Sequence, residues 1–316
     1  MAMLDYILLT PARNEQDTLP IAAQSLLNQT HLPRLWLIVN DGSTDDTQEI
    51  IQALESTHPW IISLSLPPSP GGLDDHFAEV VRYGFIQLQS EAKSRSIGYD
   101  LLGKIDADVS FDASCFSSLI REFERDESLG IASPSLIFRP NPGQQSEFGH
   151  VEEPDIALPD HPTDGVRLYR HQCFEDIGGL EIVRAPDTVA EVKARMKGWR
   201  LRRFDHIPAR TSRKAHSSTS LWSRWVFTGS LAHYFGYNPL LVLGRFCFEG
   251  LFGLPKYRCL AYVWGYLNSC VRCEARIEDT EVLTYFRYKR HREILRQIPV
   301  LLRKGLTRRK GVSYEK

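Results

Sequence analysis

No stretch of the chain offers the roughly 20 uncharged apolar residues that a membrane-spanning helix needs. The best run, Leu240 to Leu254, is broken by Arg245 and Glu249. Cysteine is sparse as well, with six residues (Cys115, Cys173, Cys247, Cys259, Cys270, Cys273) scattered over 316, which argues against a small disulfide-stapled fold. The close pair Cys270-Val-Arg-Cys273 has no second pair or nearby histidine to complete a zinc site. A signal peptide is not expected either, because the sequence enters a strand-like segment at Tyr6-Ile7-Leu8-Leu9 without a basic start and long apolar stretch. We therefore expect a cytoplasmic protein, peripheral on the inner face of the plasma membrane if it meets lipid.

Net charge is also nearly absent, at −1, but the balance conceals a division. Residues 197–316 carry 24 Lys/Arg against 8 Asp/Glu, whereas residues 1–196 carry 14 against 31. A basic half points to an anionic partner. No nucleic-acid-binding motif accompanies it, so nucleic acid is not expected and an anionic membrane surface is. With 42% hydrophobic residues the chain can bury a sizeable core.

Order along the chain is that of an α/β protein. Tyr6-Ile7-Leu8-Leu9, Leu35 to Val39, Ile61 to Leu66 and Leu101 to Ile105 read as buried strands, and helical patterns separate them. Helices are expected from Leu19 to about Asn28, after the turn Asn40 to Thr47 with an end near Glu55, and from about Phe77 to Lys93. Another follows through Phe116, Leu119, Ile120 and Phe123, before a strand from Ile131 to Ile137. The result is a doubly wound, mostly parallel sheet. Residues 139–165, rich in proline and acids, read as a long loop, Val166 to Arg170 as a returning strand, and Asp187 to Met196 as a helix ended by Gly198. Beyond residue 216 the composition turns aromatic, apolar and basic, as in helices that lie in a membrane interface or pack on the catalytic domain. We divide the chain into residues 1–216, with halves 1–110 and 111–216, and an extension at 217–316.

The strand Leu101 to Ile105 ends in Asp106-Ala107-Asp108. Side chains alternate on extended backbone, so Asp106 and Asp108 point the same way. Two such carboxylates at the carboxyl end of a strand suit a hard cation, Mg²⁺ or Mn²⁺, shared with a phosphate-bearing ligand, although a lone D-x-D is also what an Asp-rich turn looks like.

Three segments in register, Thr10-Pro11-Ala12-Arg13-Asn14-Glu15, Asn40-Asp41-Gly42-Ser43-Thr44-Asp45 and Asp106-Ala107-Asp108, each follow a strand. Together with Gly178-Gly179 and the helix from Asp187, this set resembles the family 2 glycosyltransferases of GT-A fold over roughly residues 4–216. The resemblance implies an inverting, metal-dependent transfer from a nucleotide diphosphate sugar, a UDP-sugar foremost, to a glycan or lipid-linked acceptor. It implies that Pro11, Ala12, Arg13 and Glu15 line the nucleoside pocket, with Glu15 near the ribose and Arg13 a donor to phosphate. Asp41 would accept from the base N–H, Asp106 would contact ribose or metal, and Asp108 would bind the metal. His216 would supply a further metal ligand, with Arg213 and Lys214 near the diphosphate. The family's general base sits in a Glu-Asp pair, here Pro186-Asp187, so Asp187 is the expected base and Glu191 a substitute for some contacts of the missing Glu. That departure leaves one alternative, a GT-A fold that binds a nucleotide sugar or glycan without catalysis.

Overall fold

The computed structural model describes residues 3–67, 75–138, 160–212, 220–252 and 256–290. His216, Arg213, Lys214 and most of the expected loop at 139–165 lie outside the described residues. The chain divides into two compact units, the first formed by described residues up to Ser212 and the second by those from Ser220 onward.

The first unit is built on an eight-stranded sheet: β1 (Tyr6–Ala12), β2 (Leu35–Asp41), β3 (Ile61–Leu66), β4 (Leu101–Ile105), β5 (Val109–Phe111), β6 (Leu129–Phe138), β7 (Val166–Arg170) and β8 (Arg200–Thr211). Its order is β3-β2-β1-β4-β7-β6-β8-β5. Strands β3, β2, β1 and β4 are mutually parallel, β7 enters antiparallel between β4 and β6, β8 is parallel to β6, and β5 closes the edge antiparallel to β8. The helices are α1 (Leu19–Leu27), α2 (Thr47–Thr57), α3 (Asp75–Ser94), α4 (Cys115–Arg125), α5 (His171–Asp176) and α6 (Pro186–Met196).

Burial on both faces explains the continuous apolar runs of the central strands. Leu8, Trp36, Ile38, Leu101 and Ile105 face one core with Leu19, Phe116 and Phe123. Ile7, Leu9, Leu37, Val39 and Leu102 face the other with Phe85, Leu88 and Ala190. Each fully buried Leu, Ile or Phe contributes about 1.5–3 kcal/mol relative to exposure. In α4 the buried residues Phe116, Leu119, Ile120 and Phe123 recur at helical spacing, which is why this helix was legible from pattern.

Two strands lie where the sequence suggested none. β8 carries five basic residues over its length and a proline at 208, so it lacks an apolar run. It forms because β6 supplies a parallel template on one side and β5 an antiparallel one on the other, and its pairing with β6 skips from Phe204 to Pro208. β5 has three residues, too few for a pattern.

The second unit consists of α7 (Leu221–Tyr234), α8 (Pro239–Phe252), α9 (Tyr257–Val271) and α10 (Thr280–Thr284), which continues as a π-helical turn over Tyr285–Lys289. Helices α7 and α9 touch backbone to backbone: a Cβ on Gly229 would meet the Tyr262 carbonyl oxygen at 2.0 Å, and one on Gly265 that of Val226 at 2.0 Å. No helix among the described residues is long and apolar enough to cross a membrane.

Candidate active site

Because β1, β2 and β4 run parallel, their carboxyl ends open on one edge of the sheet, and antiparallel β7 brings its amino end there too. Most of the expected residues gather on this edge. The loops after β1 and β2 are stitched together: Asn14 N–H donates to Ser43 Oγ at 3.0 Å, Thr44 N–H to Asn14 Oδ1 at 2.8 Å, and Glu15 N–H to Thr47 Oγ1 at 2.8 Å. Gly42, with φ +62°, takes the left-handed conformation that the D-G-S turn needs. Glu15 is buried and accepts from the Thr18 hydroxyl at 2.5 Å. Pro11 and Ala12 close β1 in register with Val39 and Asn40.

Asp41, buried at the end of β2, pairs with Arg13 Nη1 at 3.5 Å and lies 2.8 and 2.9 Å from His76 Nε2 through its two oxygens. Sequence reasoning had no signal for His76, which arrives from the first turn of α3.

Extended backbone stops at Ile105, so Asp106 and Asp108 do not alternate along a strand as expected. They lie in a turn that Val109 N–H closes on the Asp106 carbonyl at 3.2 Å, and Asp106 stands over a buried cation. Lys104 (3% exposed) donates to Asp106 Oδ1 at 2.7 Å, and directly across the ladder Arg167 (1% exposed) occupies the paired position on β7. Like charges opposite one another on a sheet repel, so such a pair needs carboxylates around it. Arg167 has them: Nη2 donates to Asp164 Oδ1 at 2.5 Å and Glu191 Oε1 at 2.9 Å, Nε lies 3.8 Å from Asp187 Oδ1, and Nη1 donates to the Asp187 carbonyl at 3.3 Å. Sequence did carry a hint of both cations, since a lysine or arginine inside an apolar strand must find a partner.

The electrostatics follow from this cluster. Burial pulls the Lys104 ammonium down, but Asp106 and then Asp187 outweigh it and hold its pKa above the ordinary value. Loss of water pushes the Asp106 carboxyl up, with Asp108 and Asp187 adding to the rise, against the pull of Lys104. Burial also acts to raise Glu191, yet Arg167, His161 and Arg195 prevail and set it at about 2. Glu191 thus spends its oxygens on Arg167, on His161 Nδ1 at 2.9 Å and on Arg195, inside the protein.

Asp187 lies in the first turn of α6, behind Ala185, which adopts a left-handed φ of +56° immediately before Pro186. The N-cap position of this helix is Ala185, which offers no side-chain cap. Its carboxylate, 17% exposed, accepts from the Tyr169 hydroxyl at 3.5 Å. The same cations and carboxylates therefore link Asp187 to Asp106.

Asp108 Oδ2 accepts from the Thr211 hydroxyl at 2.7 Å, which ties it to the end of β8. Among the described residues, Asp106 Oδ2 and Asp108 Oδ1 accept no hydrogen bond, and no cluster of three or more His, Cys, Asp or Glu side chains forms a closed metal cage. Hard carboxylate oxygens in that number fit a Mg²⁺ or Mn²⁺ ion whose remaining ligands come from phosphate and water.

Comparison with known proteins agrees with this architecture. Residues 7–69 match the family described as Glycosyl transferase family 2. A chondroitin synthase of Pasteurella multocida (strain Pm70) is 29% identical over 119 residues, or 38% of this chain and 11% of its own length. A hyaluronan synthase of Pasteurella multocida matches to the same extent. The chain thus spans about a tenth of the length of these relatives. Among solved structures, a mannosyltransferase, PcManGT from Pyrobaculum calidifontis in complex with GDP-Man and Mn²⁺, superposes with a TM-score of 0.55 at 13% identity, over 100% of this chain and 89% of that one. That likeness shows the fold, a GT-A-like mixed, mostly parallel sheet followed by helices.

Proposed function

We propose that this chain, a family 2 glycosyltransferase of GT-A fold, moves a sugar from a nucleotide diphosphate sugar, with uridine as the base, to a hydroxyl of a glycan or lipid-linked acceptor. The observation that carries the reading is the shared cluster in which Lys104 and Arg167 join Asp106 to Asp187. It brings a donor-facing carboxylate and a candidate base into one electrostatic unit at the edge where such sheets bind nucleotides.

In this reading Asp41 accepts from the base N–H, with His76 and Arg13 holding its carboxylate in place. Pro11, Ala12 and Glu15 shape the wall beside the nucleoside, and Arg13 reaches the phosphates from the rim. Asp106 and Asp108, with His216, would hold a divalent cation, which would stabilise the charge that accumulates on the departing diphosphate. Asp187 takes the proton from the acceptor hydroxyl as that oxygen bonds to the anomeric carbon. The bond from that carbon to the diphosphate oxygen breaks with its electron pair on the diphosphate, and the configuration inverts. Arg167 and Tyr169 fix the orientation of the Asp187 carboxylate.

The test is a panel of UDP- and GDP-sugars incubated with the chain and Mn²⁺, with and without chelator. Release of the nucleoside diphosphate without acceptor, abolished by chelator, is the expected result. Donors that bind and remain intact would instead favour a non-catalytic module, the reading to which Pro186, in place of the usual Glu, gives its only support.

A further inference from the structure

Helices α8 and α9 are amphipathic in the reverse sense. On α8, Leu240, Leu243, Cys247 and Leu251 fall on one stripe at helical spacing and all are exposed, Leu240 at 74%. The opposite side buries Val242 and Glu249, and Arg245 on that flank sets its guanidinium over the rings of Trp225 and Tyr262, at 5.3 and 5.0 Å. On α9, Tyr257, Leu260, Trp264, Leu267 and Val271 form the exposed stripe, with Trp264 at 59%. The buried side carries Arg258, Tyr262, Tyr266 and Ser269.

In water this arrangement is unfavourable, because large apolar side chains stay wet. The buried side is no apolar seam either: among the described residues, Glu249 Oε2 and Ser269 Oγ are buried there without a hydrogen-bond partner. The backbone contact of α7 with α9 at Gly229 and Gly265 is the packing of helices that associate through small residues rather than through an apolar seam, as helices in lipid do.

We propose that α8 and α9 seat their apolar stripes in the headgroup and upper acyl region of an anionic bilayer. At 14 and 15 residues they are about 21–23 Å long by the 1.5 Å rise of an α-helix. That is short of the roughly 30 Å hydrocarbon core, so they lie in the interface and do not span it. Charge fits the occupant: residues 217–316 carry 17 Lys/Arg against 7 Asp/Glu, and exposed Lys256 and Arg272 bracket α9, placed to reach lipid phosphates. The inference goes beyond sugar transfer and does not depend on it.

Flotation of the full chain, without donor, on vesicles of phosphatidylglycerol and phosphatidylcholine against phosphatidylcholine alone tests it. The chain floats with the anionic vesicles, and Leu243→Glu with Leu267→Glu lowers the bound fraction by about tenfold or more, as expected for losing the burial of two leucines. In the unmutated chain, lipids brominated in the upper acyl chain quench tryptophan emission, and Trp264→Phe removes a large share of that quenching, which keeps the test decisive should the charged variant fail to fold. A chain that stays unbound to every vesicle, or quenching indifferent to Trp264, overturns the proposal. So does self-association in the absence of lipid that the glutamates dissolve, since a second copy would then cover the stripes.

Discussion

Both units bury charge, and they treat it differently. In the sheet unit, Lys104, Arg167 and Glu191 are buried with every cation matched by carboxylates at 2.5–2.9 Å. In the helical unit, buried Glu249 and Ser269 each leave an atom without a partner among the described residues, while leucines and Trp264 face outward. The first is an interior finished for water outside. The second leaves large apolar side chains of α8 and α9 exposed, so the two units differ in what they present at the surface.

The comparison can be broken first at the carboxylates the charge network serves. Asp108→Ala removes one of the two free-facing carboxylates, and metal-dependent donor turnover falls by about 10³-fold or more, the several kcal/mol expected of an ion that stabilises a leaving diphosphate. Donor hydrolysis against Mn²⁺ concentration reads it, and an unchanged metal response would remove Asp108 from the site.

Arg167→Met comes next. It takes the shared cation from half-buried Asp187 and buried Glu191, leaving Glu191 only His161 and Arg195, and removal of one partner from a buried cluster costs about 3–5 kcal/mol. Urea unfolding should show that loss, and a loss under 1 kcal/mol would mean that the network is not structural.

The pH dependence of stability sharpens the point. Glu191 is held at about 2, below the 4.5 of a free glutamate, so its contribution is complete above pH 4.5 and drains as pH falls toward 2. The urea midpoint of the native chain should fall through that range by more than that of Glu191→Gln, whose deficit at neutral pH narrows in acid. Parallel curves would refute the assignment.

The smallest effect belongs to the helical unit. Ser269→Ala deletes a buried hydroxyl whose oxygen has no partner among the described residues and should leave the unfolding free energy unchanged or raise it by up to about 1 kcal/mol, read by urea unfolding. A clear destabilisation would show that the buried polar groups of this unit are satisfied after all.

Much of the sheet was legible because β1, β2 and β4 are buried on both faces and announce themselves as apolar runs, and the turn chemistry of Asn40-Asp41-Gly42-Ser43 marks where β2 stops. β8 was not legible, since its alternation of Arg, Phe, Asp and His resembles a loop until β6 and β5 pair with it. At the candidate site, Asp41, Asp106 and Asp108 were legible as acids after strands, and Asp187 only through the family resemblance. Their supports, Lys104, Arg167 and His76, were not, because they come together only when antiparallel β7 and the start of α3 arrive at the edge, which no local spacing encodes. The reverse amphipathicity of α8 and α9 likewise needs to be known from which side is buried; sequence shows two stripes and not which faces inward.

The account rests most directly on Asp187 as the proton acceptor. Donor affinity by titration calorimetry and sugar transfer under single-turnover conditions, compared for the native chain and Asp187→Asn, decide it. The account predicts donor binding within about twofold of native and transfer slowed by about 10²–10⁴-fold, the usual contribution of a general base. Transfer at the native rate in Asp187→Asn would contradict it.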